Sequence, residues 1–164
     1  MNWEAVASIG ESISALAILI TLIFLVRQIK YARLAASDIS RGQRVAGIRE
    51  LDLLAIENSE LRKIWLKAGS PEMREVVAYL SRELDISEEE ADLLRLYAGD
   101  WVWTHWAQYR SIRTESDTVE LEHIISTFYS ADPMKTFIKN PLARDFFDNE
   151  FLDWIEVLVK KNDE

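Results

Sequence analysis

Two carboxylates, Glu4 and Glu11, stand at the start of an otherwise apolar stretch of the chain. From Ala5 to Val26, Glu11 is the one charged residue. A carboxylate in an apolar medium must take up a proton, pair with a polar group or face water, because an unpaired charge there is costly. Rings of such carboxylates also line cation channels. Glu4 and Glu11 are therefore candidate pore or ion-binding residues, and the alternative makes Glu11 a hydrogen-bonded packing residue.

A second candidate site is a cluster of aromatic residues around a histidine. If the segment is helical, Tyr97, Trp101 and His105 share one face, and Trp106 lies beside them. Ring faces and an imidazole suit an apolar or cationic ligand, which would make the cluster a sensing pocket. Such clusters more often form a core or a subunit interface. We predict a core or an interface, with the ligand pocket as the alternative.

Motifs of enzymes and metal sites are missing from the sequence. It contains no cysteine, and its two histidines, His105 and His123, share no local ligand spacing. The acidic run of residues 88–90 suits a solvated helix start, because neighbouring side chains on a helix point in different directions. No nucleophile elbow, phosphate loop, dinucleotide fingerprint or zinc-protease motif is present. We therefore predict a protein that is not an enzyme, with no metal and no cofactor.

Charge is distributed very unevenly along the 164 residues, which carry a formal net charge of -9. The first 26 residues contain two acids and no basic residue, and residues 27–50 contain six basic residues against two acids. The remainder holds 13 basic and 24 acidic residues. An acidic chain of this kind lacks the excess of Lys and Arg that neutralises phosphates. We expect no nucleic-acid partner.

The apolar segment is long enough to cross a membrane. As a helix, the 22 residues from Ala5 to Val26 reach about 33 Å, against a hydrocarbon core of about 30 Å. No basic region precedes the run and no Ala-x-Ala site closes it, so we predict a retained anchor. The positive-inside rule puts the amino terminus outside and the bulk of the chain in the cytoplasm. We expect the basic residues after the span to contact anionic lipids, or else only to set its topology: Arg27, Lys30, Arg33, Arg41 and Arg44.

One face of the predicted membrane helix consists of small residues. Such a face lets two helices approach closely, whereas bulky aliphatic residues suit lipid. Glu11 lies beside the small face, and the bulky side chains, among them Ile13 and Ile20, lie opposite. We therefore predict a homo-oligomer held by these residues: Ala7, Gly10, Glu11, Ser14, Ala17 and Thr21. The rival interpretation is an ion-conducting pore with Glu4 and Glu11 at its outer mouth, whose cation currents would change in Glu11→Gln.

The beginning of the chain also carries a recognisable signature. It consists of Trp-Glu at Trp3, Ile-Gly-Glu ending at Glu11, Thr-Leu-Ile-Phe-Leu from Thr21 and Gln-Ile from Gln28, followed by basic residues. This pattern resembles the opening of a large group of uncharacterised bacterial inner-membrane proteins, in which Tyr is common where this chain has Phe24. The blocks 58–65 and 151–154 are weakly similar to later parts of the same group. The resemblance implies a single-pass inner-membrane anchor with a helical cytoplasmic domain, and it assigns no catalytic or binding residue.

The rest of the sequence predicts an all-α protein. Residues 1–30 form the anchor, residues 31–58 a basic juxtamembrane helix that would bend near Ser40–Gly42, and residues 59–164 an acidic helical hairpin or bundle. Capping signals at Ser59, Ser70-Pro71 and Ser87 mark three further helices, the third of which reaches about residue 113. Later helices cover 119–129 and the chain from Asn140, with a short turn at 132–133 between them. The predicted function is a non-enzymatic, self-associating membrane protein that binds lipids and presents an interaction domain to a cytoplasmic protein.

Overall fold

The computed structural model describes residues 3–162, with the side chains of all of them except Ala5, Val6 and Asn162. Over this range the chain forms eight helices and no strand, which confirms the predicted all-α class. The first helix, α1, is Trp3–Glu57, and it ends one residue before the predicted end. It remains helical through Ser40–Gly42, where a bend was expected. The chain divides into two compact units, one up to Ser40 and one from Arg41 onward.

The first unit is the amino-terminal part of α1. Its apolar residues are exposed, and none of its most apolar window is buried inside the protein. The hydroxyl groups of Ser12, Ser14 and Thr21 each donate a hydrogen bond to the backbone carbonyl four residues earlier, at 2.8 to 2.9 Å. Hydroxyls bonded in this way stay satisfied in an apolar environment. By length and composition, α1 could cross a membrane.

The second unit contains the end of α1 and seven shorter helices. These are α2, Ser59–Ala68; α3, Pro71–Leu84; α4, Glu88–Tyr109; α5, Glu115–Phe128; α6, Asp132–Lys139; α7, Pro141–Arg144; and α8, Asn149–Asn162. Side-chain caps fix several of the starts: the oxygens of Asn58 and Ser70 accept from backbone N–H groups of α2 and α3. Ser87 forms a capping box with Glu90 at the start of α4. We refer to this unit as the helical domain.

A single apolar core holds the helical domain together. α3 packs mainly against α4, and α5 packs mainly against α8. Leu80 of α3, Val102 of α4, Ile125 of α5 and Phe151 of α8 are fully buried in it. Burying side chains of this size stabilises a domain by about 1.5–3 kcal/mol each. The core therefore fixes the relative positions of the helices that surround the cavity described below.

Three elements differ from the sequence predictions. Thr114 and Asp117 form a capping box, so α5 begins at Glu115, four residues earlier than predicted. The predicted turn at residues 132–133 is the start of an eight-residue helix, α6. That helix forms because Met134, Phe137 and Ile138 bury one of its faces in the core. α4 ends at Tyr109 rather than near residue 113.

Candidate functional site

The helical domain contains a partly open cavity of about 220 Å³. Ile48 and Asp52 of α1 line one side of it, and Arg95, Gly99 and Trp103 of α4 line another. Apolar side chains complete the wall, and they come from α3, α6, α7 and the segment that follows α7. Asp52 and Arg95 are thus the two charged residues in an apolar lining, a composition typical of small-molecule sites.

Asp52 forms a pair with a second carboxyl group. Its side chain is hydrogen-bonded to that of Asp100 on α4, and burial, with the neighbouring Asp100, raises the pKa of Asp52 to about 7. Burial also raises the pKa of Asp100, although the hydrogen bond with Asp52 and the positive charge of Arg49 lower it in part. Two carboxyl groups in contact cannot both ionise easily, so near neutral pH they share a proton. The Oδ1 atom of Asp100 is buried and has no hydrogen-bond partner among the described residues.

Arg95, the other charged lining residue, belongs to a buried ion pair. Its Nη2 atom lies 2.8 Å from Oδ1 of Asp92, and its Nε donates to the same oxygen at 2.9 Å. Asp92 is 2% exposed, so this pair is shielded from water. The two bonds hold the guanidinium group against α4 while one side of it faces the cavity. The positive charge of Arg95 is therefore largely balanced before any ligand enters.

Gly99 lies in the middle of α4 and lines the cavity. Glycine inside a helix costs roughly 0.5–1 kcal/mol relative to alanine. A Cβ atom built on Gly99 meets no other atom within 4 Å, so close packing of neighbouring groups does not require glycine at this position. The missing side chain instead leaves space in this part of the cavity wall.

The aromatic cluster predicted around His105 lies largely in the core. His105 is 2% exposed, and its Nδ1 atom is 3.1 Å from the hydroxyl oxygen of Tyr129. Trp101 stacks on the His105 ring with 5.2 Å between the centroids, and the exposed ring of Tyr97 meets Trp101 edge-on. Burial lowers the pKa of His105 to about 4, so the imidazole is neutral at neutral pH. In this chain, His105 serves as a hydrogen-bonded packing residue.

Trp106 lies on another side of α4 and makes polar contacts. Its indole Nε1 donates to Asp148 at 3.0 Å, and this bond holds the pKa of that carboxyl below its usual value. The guanidinium group of Arg41 lies 5.8 Å from the centroid of the Trp106 ring and donates to the Ser111 hydroxyl. Arg41, predicted as a lipid-contacting residue, therefore makes these contacts inside the helical domain. Of the Trp101–Trp106 segment, Trp103 is the residue that lines the cavity.

The remaining predicted site residues lie on the exposed surface of α1. The small residues predicted to pair with another helix stand on a continuous helix, as the predicted face requires, and a Cβ atom on Gly10 would meet nothing within 4 Å. The candidate pore residues Glu4 and Glu11 are exposed. So are four of the predicted lipid-contacting residues: Arg27, Lys30, Arg33 and Arg44.

The sequence contains a signal, not used above, for the buried polar groups beside the cavity. Asp52 stands in the same row of α1 as Ile48 and Ala55, both of which turn inward, so an acid occupies a position where an apolar residue is expected. Asp92 and Arg95 stand three residues apart, between buried Ala91 and Leu96, as an ion pair within one helix would. Charged residues at core positions indicate a polar cluster, but not the presence of a cavity.

Comparisons with protein-family models, with curated proteins and with solved structures find no match to this chain. The resemblance of its first 30 residues to bacterial inner-membrane proteins therefore stays a prediction.

Proposed function

We propose that the protein is a non-enzymatic, single-pass protein of the bacterial inner membrane. In this proposal the amino-terminal part of α1 crosses the bilayer and self-associates, and the helical domain lies in the cytoplasm as an interaction module. Its direct partners are a second copy of the chain, membrane lipids and a cytoplasmic protein.

The observation that carries the proposal is the exposure of the amino-terminal part of α1. Ile13, Leu16 and Ile20 are each more than half exposed, and contiguous apolar surfaces of this kind are rare in soluble proteins. A lipid bilayer would cover them, and the hydroxyls of the same segment already bond within the helix. The small residues on the other face suit a close approach of a second helix.

The charges on either side of the predicted span support an orientation. Arg27, Lys30 and Arg33 are exposed just after it, whereas Glu4 is the charged residue of the short leader. Basic residues close to an anionic membrane surface contribute about 1 kcal/mol each. They favour a cytoplasmic location for the chain that follows and would hold the acidic helical domain near a surface that repels it.

Site-specific labelling tests this topology. Because the sequence contains no cysteine, an introduced cysteine is the one thiol that a maleimide can label. In intact spheroplasts, a membrane-impermeant maleimide is expected to label Trp3→Cys, whose position is 70% exposed at the outer end. It should reach Ala131→Cys, an exposed position of the helical domain, only after the membrane is permeabilised. Membranes isolated from these cells should retain the protein after a wash with alkaline carbonate. Labelling of Ala131→Cys in intact spheroplasts, or release by carbonate, would contradict the proposal.

A further inference from the structure

The cavity of the helical domain has the size of a small organic molecule. Its volume is about 220 Å³, whereas an engineered apolar cavity of about 150 Å³ in another protein holds benzene. Pockets for drug-sized ligands begin at about 300 Å³. The cavity therefore fits a molecule that is modestly larger than benzene and carries a single polar group.

The walls of the cavity suit an apolar or aromatic body. Trp103, Phe146 and Phe147 present aromatic rings to it, and Val76 and Leu96 add aliphatic surface. Aromatic faces also attract a nearby cation through the ring quadrupole. Gly99 also lines the cavity, and a Cβ atom at this position would meet no other atom within 4 Å.

Three acids, Asp52, Asp92 and Asp100, stand against two arginines, Arg95 and Arg49, at the polar end of the cavity. Asp52 lines the wall and contacts Asp100, while the charge of Arg95 is already engaged by Asp92. Asp100 Oδ1 is buried without a hydrogen-bond partner among the residues that the structure describes. Asp52 is the acid that lines the cavity, and an ammonium group there would supply it with one positive charge and several N–H donors.

We propose that the cavity binds a small organic amine, with its ammonium group on the Asp52 carboxylate and its apolar body against Trp103 and Phe147. The site is distinct from the predicted self-association face of α1. Its occupancy therefore does not depend on whether the anchor forms an oligomer.

Protonation of the carboxyl pair should make the affinity for the amine depend on pH. The charged groups that face Asp52 are Asp92, Arg95 and Asp100 of α4, and the lining from α3, α6 and α7 is apolar. Because the pKa of Asp52 is raised to about 7, a proton occupies this carboxyl in acid and competes with the ammonium group. An alkylamine stays protonated to well above pH 8. Binding should therefore strengthen as the pH rises from 6 to 8.

The proposal can be tested with three probes. All three have a phenylalkyl body, and they differ in the charge of the polar group. Calorimetric titration of the full chain in lipid nanodiscs, with empty nanodiscs as the blank, compares 2-phenylethylamine, 2-phenylethanol and 3-phenylpropanoate. We expect saturable binding of the amine with a stoichiometry of about one, and binding of the neutral and anionic probes at least about tenfold weaker.

Variants locate the site in the cavity. Asp52→Asn keeps the size of the side chain and removes its charge, and Gly99→Leu fills the open space next to it. Each is expected to weaken binding of 2-phenylethylamine by about tenfold or more, while circular dichroism verifies that the helical content is unchanged. Glu75→Gln, an exposed acid on α3 outside the cavity, is the matched control and should bind as the natural chain does.

Several results would overturn the proposal. Absence of saturable amine binding would refute it, and so would an unchanged affinity in Asp52→Asn. Strongest binding of 3-phenylpropanoate would mean that Arg95 recognises an anion instead. Equal binding of all three probes would show that the cavity recognises the apolar body alone.

Discussion

Arg95→Met is expected to lower the free energy of unfolding of the helical domain by about 3–5 kcal/mol. The substitution removes the guanidinium group that lies 2.8 Å from Asp92, while methionine retains much of the apolar volume. Asp92, which is 2% exposed, would then remain as a buried carboxylate without its partner. The cost arises from that uncompensated charge rather than from lost contacts.

A double variant separates these two causes. Asp92→Leu combined with Arg95→Met replaces the ion pair by apolar groups, and it should recover most of the lost stability, since buried pairs often contribute little net free energy. Denaturant unfolding of the full chain in mild detergent, followed by tryptophan fluorescence, compares the natural chain with both variants. A single variant as stable as the natural chain would show that Asp92 is not buried as the structure has it.

Arg62→Ala is the substitution with the next largest expected effect, about 2–4 kcal/mol of lost stability. Arg62 is 6% exposed, and its guanidinium donates to the backbone carbonyls of Ala55 and Ile56 near the end of α1. It also forms an ion pair with Glu89 of α4 at 2.8 Å. One side chain thus ties the last turn of α1 and the first turn of α4 to α2, and removal leaves carbonyl groups of α1 without this donor.

Glu89→Gln is the matched control for Arg62. The Glu89 side chain is 58% exposed, so solvent screens its charge and its loss should cost less than about 1 kcal/mol. The same unfolding measurement applies. If both variants lose a similar amount of stability, the ion pair rather than the carbonyl contacts would be the important interaction.

Local signals in the sequence predicted most of the helices. Ser87 with Glu90, and Pro71 after Ser70, are caps that act over three or four residues, and the structure begins α4 and α3 there. At α5 the difference came from a local capping box, Thr114 with Asp117, whereas at α6 packing between distant segments decided the result. α6 exists because Phe137 and Ile138 meet a core built from residues far away in the chain, and no local pattern encodes such contacts.

The cavity could not be predicted from local sequence signals either, because its lining residues come from distant parts of the chain. Asp52 and Asp100 stand 48 positions apart, so their contact depends on how the end of α1 packs against α4. The empty space next to Gly99 depends on five elements at once. His105 illustrates the opposite case, because its spacing from Trp101 predicted that the two residues share one face of a helix, in a core or an interface. In the structure the two rings stack. The proposed self-association of the amino-terminal helix rests on the spacing of its small residues.

Disulfide cross-linking in native membranes tests that self-association most directly. Ser14→Cys and Ala17→Cys lie on the small-residue face, and Ile13→Cys and Ile20→Cys lie on the bulky face of the same helix. A disulfide needs about 3.8 Å between Cβ atoms, so only residues at a close helix contact cross-link efficiently. Mild oxidation should give covalent dimers from Ser14→Cys or Ala17→Cys and little from the other two. Equal cross-linking on both faces, or none on either, would contradict self-association through α1.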